Sequence, residues 1–217
     1  MKQFAIFFVA ISAIAAGATG LKSLELFIKS SQTGRADFSQ VVTFPAKDGK
    51  PARVKTSAGT FEFARPNRFK FIYQQPFAQS IVADGQTLWL HDLDLNQVTA
   101  HKQATALGST PAALIAAAPD VRALRTDFTL ADAPDQDALQ WVLATPKAKD
   151  SPLHSVRVGF YPADPATRQT PGLAALEILD SFGQRSRLTF SHFEVNPTLP
   201  ASSFQFKIPP GADVIRQ

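Results

Sequence analysis

Large rings recur at every second position just after Gly59: Phe61 and Phe63 in one run, then Phe69, Phe71 and Tyr73 in the next. Successive side chains of a strand point to opposite faces, so each run presents one dense aromatic face and reads as a strand. Between the runs lies Ala64-Arg65-Pro66-Asn67-Arg68, whose proline breaks the ladder. Further connections follow at Gln75-Pro76-Phe77 and at Asp84-Gly85. With 18 Phe among 217 residues, this pattern predicts a sheet with an unusually aromatic interior. Two uses of that interior stay open at this point: an ordinary core, or the lining of a container for something apolar.

The chain starts Met1-Lys2-Gln3, runs apolar from Phe4 to Ala16 and closes the run with Gly17-Ala18-Thr19-Gly20. A charged start, a short apolar stretch and small residues at Ala16 and Ala18 form the pattern of a secretory signal. The stretch is shorter than the about 20 residues that cross a bilayer. Residues 1–18 are therefore read as a signal peptide and residues 19–217 as a single domain, a buried N-terminal helix being the alternative. The chain has no cysteine. That excludes a disulfide framework, a thiolate nucleophile, a cysteine zinc site and a lipidated N-terminal cysteine. A soluble protein of the bacterial periplasm follows. Net charge is +4, with the basic residues scattered rather than clustered, which favours a solvated surface and no nucleic-acid partner.

Apolar periodicity at Leu21, Leu24, Phe27 and Ile28 predicts a helix at the start of the domain. Strands are expected over 36–44, 53–64, 68–73, 79–83 and 87–91, the last two joined by a tight Asp84-Gly85 hairpin. Thr110 and Pro111 suit an N-cap and a first helical position, opening a helix over 112–118 that Pro119 stops. A further turn or two is expected over 120–126. Strands then resume over 128–130, 139–144, 153–160, 173–179 and 186–195, with a short last one over 204–208. Asp164 to Pro171 reads as a loop. About ten strands interrupted by short helices give a mostly β fold: an antiparallel sheet curled toward a barrel, with helices packed on it.

No pattern in the chain calls for catalysis. The four histidines (His91, His101, His154, His192) are scattered, and there is no G-x-S-x-G elbow, phosphate loop or dinucleotide glycine pattern. Asp92, Asp94 and Asn96 imitate the opening of a calcium loop. Gln97 and Gln103 stand where such a loop needs Gly and Glu, so a polar turn is the better account. No catalytic residue, metal ligand or cofactor is assigned.

The run from Gly59 to Phe71 resembles the outer-membrane lipoprotein carrier proteins, the LolA-type periplasmic chaperones. So do Ile81-Val82-Ala83-Asp84-Gly85 with Leu88-Trp89, Thr110-Pro111-Ala112-Ala113-Leu114-Ile115, and Phe193-Glu194-Val195-Asn196-Pro197 with the stretch from Phe204 to Ile215. The resemblance implies an incomplete, half-open antiparallel β-barrel covered by an α-helical lid, with an apolar cavity between them. It also implies a monomeric, non-enzymatic carrier. Such a carrier takes acylated lipoproteins from an inner-membrane lipoprotein-releasing ABC transporter and hands them to a lipid-anchored outer-membrane lipoprotein receptor. Under it Arg65 matches the residue that latches the lid, Phe69 matches a phenylalanine used in productive transfer, and Phe71 stands where the family often has tryptophan. The acyl-chain lining expected is Phe61, Phe63, Phe69, Phe71, Tyr73, Trp89, Leu114 and Ile115. A lipid- or peptide-sensing regulatory module on the same half-barrel is the alternative from another class, and an exported hydrolase a more distant one.

Overall fold

The computed structural model describes residues 19–47, 49–106, 118–164, 166 and 169–217. The expected signal segment, and residues 112–117 of the expected lid helix with Leu114 and Ile115, lie outside them. Helix α1 (Gly20–Ser30) opens the described chain. The Thr19 hydroxyl caps it by accepting the Lys22 N–H, and Leu24, Phe27 and Ile28 form its buried face. Its start sits close on the sheet, because a Cβ on Gly20 would lie 2.0 Å from the Trp141 carbonyl oxygen.

Among the described residues, twelve strands then build one sheet: β1 (Thr33–Phe44), β2 (Arg53–Ala64), β3 (Arg68–Gln75), β4 (Gln79–Ala83), β5 (Thr87–Asp92), β6 (Gln97–Lys102), β7 (Phe128–Gln136), β8 (Leu139–Pro146), β9 (Leu153–Tyr161), β10 (Gly172–Asp180), β11 (Arg185–Val195) and β12 (Asp213–Arg216). Their order is β12-β6-β5-β4-β3-β2-β1-β11-β10-β9-β8-β7. Neighbours are antiparallel except for β12, which joins β6 in parallel. The edge strands β12 and β7 do not pair with each other, so the sheet is open. Register shifts in the pairings of β1, β2, β7, β9 and β10 give it local bends where a bulge adds twist. The short helices α2 (Gln103–Ala106) and α3 (Val121–Asp127) lie between β6 and β7. The Asp120 carboxylate caps α3 through the Ala123 N–H, 2.8 Å away.

Strands 53–64 and 79–83 fall where the alternation placed them, and most others differ by a residue or two at their ends. The differences concern the edges. β6 buries only Val98 and Ala100 as apolar residues, too few to distinguish it from the polar turn expected around Asn96. β7 extends to Gln136 through a largely polar edge. The strand expected over 204–208 is instead a 3-10 turn (Ala201–Phe204) followed by extended chain. Phe204 is buried there, under the Arg68 guanidinium 5.7 Å from its ring. Pro209 and Pro210 have no N–H to give a ladder, and pairing resumes only at β12.

Alternation splits the sheet into two unlike faces. One carries Phe38, Phe61, Phe63, Phe69, Phe71, Val158, Phe160, Leu176, Leu188 and Phe190, all buried in one cluster with α1, Ala118 and Leu124. The other carries the linked ion pairs Lys70–Glu62–Arg35 and Arg157–Glu177–Arg187. On that outer face Trp141 is buried beneath the two guanidiniums of Arg157 and Arg187, 4.6 and 6.0 Å from its ring.

Candidate functional site

The aromatic face is assembled by register. Phe61 pairs with Phe71 and Phe63 with Phe69 across β2 and β3, and Phe38 of β1 lies opposite Phe190 of β11. The rings interlock at favourable geometries: Phe61 stacks on Phe71 at 4.5 Å, while Phe38 meets Phe71 and Tyr73 edge-on at 5.4 and 5.0 Å. Gly34 leaves the space that Phe63 fills, since a Cβ there would lie 2.3 Å from the Phe63 ring. Phe27 of α1 reaches down to Phe63 and Phe160 at 6.0 and 5.5 Å. Phe63 and Phe69 have no exposed surface, and Phe61 and Phe71 have 1% and 2%. Leu24, Phe27 and Ile28 of α1, with Ala118 and Leu124, share one buried cluster with these rings.

Arg65 stands at the edge of this cluster, in the turn between β2 and β3. Only 8% of it is exposed, and its charge is met by backbone carbonyls. Its Nε donates to the Ser31 carbonyl at 2.8 Å and its Nη1 to the Ala118 carbonyl at 2.6 Å. The guanidinium also lies over the Phe63 and Phe27 rings at 5.2 and 5.6 Å, a cation–π placement. Burial pushes its pKa down to about 10, so it remains charged at neutral pH. Ser31 is the C-cap of α1, and Ala118 precedes the Asp120 cap of α3. One side chain thus joins two separate covering segments to the sheet. The Ser31 carbonyl lies at a helix end and has no intrahelical donor, which makes it a suitable partner for a group that only donates.

Among the described residues, Trp89 is the exception to the lining expected from the sequence. It pairs with Val82 and Ala100, so it shares their outer face, while Leu88 and Leu90 point inward with Ala83 and Ile81. Its indole donates to the Asp84 carboxylate at 2.9 Å and its ring stacks on Phe206 at 5.1 Å. Trp89 therefore anchors the C-terminal segment and does not line the aromatic face. Burial raises the Asp84 carboxyl, but hydrogen bonds from the Thr87 N–H, the Trp89 indole and the Gln86 N–H outweigh it and hold the group below its usual range. Tyr73 belongs to the inner face, half-buried, and burial pushes its hydroxyl up to about 12. Phe38 and Phe190 are members of the face that the sequence did not single out. Each sits in an inward-alternating run (Ala36-x-Phe38, Leu188-x-Phe190), but only the β1–β11 pairing of distant segments brings them to it.

An open antiparallel sheet that carries an aromatic inner face, with the end of α1 and the chain at Ala118 tied to it by a buried cation, defines the class: a half-barrel with a buried apolar face. The model of the family "Outer membrane lipoprotein carrier protein LolA" matches residues 29–207, and the chain belongs to that family. It is 70% identical over 217 residues to the outer-membrane lipoprotein carrier protein of Albidiferax ferrireducens, all of both chains being covered. It is 52% identical over 203 residues to the carrier protein of Leptothrix cholodnii, covering 94% of this chain and 88% of that one. Among solved structures, an uncharacterized conserved protein from Thermus thermophilus shares the fold with a TM-score of 0.52 at 12% identity, over 91% of this chain and 97% of that one.

Proposed function

We propose that this chain is a periplasmic chaperone that binds the acyl chains of lipoproteins. It receives them as an inner-membrane ABC transporter releases them and delivers them to a lipid-anchored receptor at the outer membrane. Residues 1–18 are its export signal, and residues 19–217 form one monomeric carrier domain. Phe61, Phe63, Phe69, Phe71 and Tyr73 contact the acyl chains, and Arg65 latches the cover. The observation that carries this reading is the Arg65 clip. A core that only had to be stable would not place a buried guanidinium on the carbonyls of two covering segments, whereas a container needs a closure that can be undone.

The energetics suit a shuttle. Each buried CH₂ contributes about 0.8 kcal/mol, so three long chains exceed the roughly 18–21 kcal/mol at which affinities saturate. Cargo must leave again, and the membrane it came from offers a similar apolar environment. The carrier's task is therefore to accept and release, which a clipped cover over an apolar face performs. Photo-crosslinking from Phe69 in cells tests the reading. Adducts with mature, acylated lipoproteins support it, and adducts only with other periplasmic proteins would overturn it.

A further inference from the structure

The inner face is not apolar along its whole length. Following β1 the inward residues run Ala36, Phe38, Gln40, Val42; following β11 they run Phe190, Leu188, Ser186; and following β2 they run Phe63, Phe61, Gly59, Ser57, Lys55, Arg53. Burial falls in the same direction along β1 and β2, while Ser186 of β11 stays buried at 7% exposure. Phe61, Phe63 and Gly59 are buried, Ser57 and Gln40 are half-buried, and Lys55 and Arg53 are exposed. At the transition three polar side chains cross the face in one hydrogen-bonded line. The Tyr73 hydroxyl donates to Gln40 Oε1 at 3.1 Å, and Gln40 Nε2 donates to the Ser186 hydroxyl oxygen at 2.7 Å.

We infer that the Tyr73–Gln40–Ser186 line is a polar subsite for the ester and amide carbonyls that join a lipoprotein's acyl chains to its glyceryl-cysteine head. This rests on the carrier reading and adds to it a direction and a recognised group. Acyl tails extend toward Phe61, Phe63 and Phe69, and the head leaves past Lys55 and Arg53. The donor count supports the assignment. Gln40 accepts from Tyr73 and spends one amide hydrogen on Ser186, so its second amide hydrogen and the Ser186 hydroxyl hydrogen remain to be given. Both are donors, and an ester carbonyl only accepts. With its pKa pushed up to about 12, Tyr73 stays a neutral donor that holds Gln40 in this orientation. An apolar slot that fitted chain alone would leave the carbonyls of a bound lipid without partners, which is costly once water is excluded.

The test compares a triacylated lipopeptide with its analogue in which both glyceryl esters are replaced by ethers, measured on wild type, Gln40→Leu and Ser186→Ala. Wild type is expected to bind the ester form about threefold to tenfold more tightly. Each variant should lose that preference while binding the ether form as wild type does, with a cooperative melt retained. If wild type binds both forms equally, or if the variants weaken both alike, the subsite is wrong and the carrier reading stands. If wild type binds neither lipopeptide, the carrier reading itself fails, and the subsite with it.

Discussion

Replacing Arg65 by leucine separates a closure device from an ordinary core residue. Two charge-assisted hydrogen bonds, to Ser31 and Ala118, contribute about 1.5–3 kcal/mol each. Against them stands the cost of holding a guanidinium where burial lowers its pKa from 12.5 to about 10, about 3 kcal/mol. The net contribution to global stability is then about 0–3 kcal/mol. For a domain of this size each kcal/mol moves the melting temperature by about 2–4 °C, so Arg65→Leu should melt cooperatively within about 12 °C of wild type. Its effect should concentrate at the cover, because the two carbonyls lose their partner only while the cover is closed and can find water when it lifts. Hydrogen exchange followed by mass spectrometry reads this directly. Amides of α3 and the last turn of α1 should exchange about tenfold faster, while β9, β10 and β11 keep their protection. Cargo should still be accepted but handed poorly to the receptor. Unchanged exchange in α3, or equal acceleration throughout the sheet, would refute the latch.

Phe69→Glu should keep a cooperative thermal transition yet fail to release lipoproteins from inner-membrane vesicles; global unfolding with no separate transfer defect would make Phe69 ordinary core. Gly34→Ala places a methyl 2.3 Å from the Phe63 ring, and Phe63 is pinned by Phe27, Phe61 and Arg65. Overpacking of about 1–3 kcal/mol is expected, visible as a lower melting temperature, and an unchanged melt would show that Phe63 can move aside. Burial raises the Glu62 carboxyl, but Lys70 at 2.7 Å and Arg35 at 3.0 Å outweigh it and hold the group below its ordinary value of 4.5. A depressed carboxylate stabilises the fold above its unfolded pKa, and that stabilisation is lost as pH falls through the folded one. Stability should therefore hold from neutral pH to about 5 and fall below about 4, and Glu62→Gln should soften the acid limb of a pH–stability curve.

The ring alternation from Phe61 to Tyr73 was enough to place β2 and β3 and to say that one face is aromatic, because period-two patterning is local. It also held the reason Trp89 leaves that face: Leu88 and Leu90 flank it and take the inward positions. Choosing between the two sets needed the β4–β5 register, in which Ile81 meets Leu90 and Val82 meets Trp89. β6 and β12 were illegible for a different reason. Their pairing is parallel and joins distant segments, Asp213 meeting Gln97, and neither segment has the apolar content to announce a strand alone. Long-range contact also hid the polar line, since Gln40 and Ser186 are 146 residues apart. The residues themselves marked Arg65 as a strand end beside a proline, and only the family resemblance named it as a lid latch. That its guanidinium turns inward to Ser31 and Ala118 depends on where α1 ends and on the chain entering α3, which no local pattern specifies.

The central claim is that the covered aromatic face holds acyl chains in transit. Energised inner-membrane vesicles loaded with a triacylated lipoprotein, incubated with the protein and then cleared by centrifugation, test it most directly when the supernatant is read by native mass spectrometry. A one-to-one complex whose mass includes all three acyl chains is predicted, as is its loss when a charge replaces Phe69. Lipoprotein that stays in the membrane pellet, or a complex that forms equally well with the unacylated polypeptide, would contradict it.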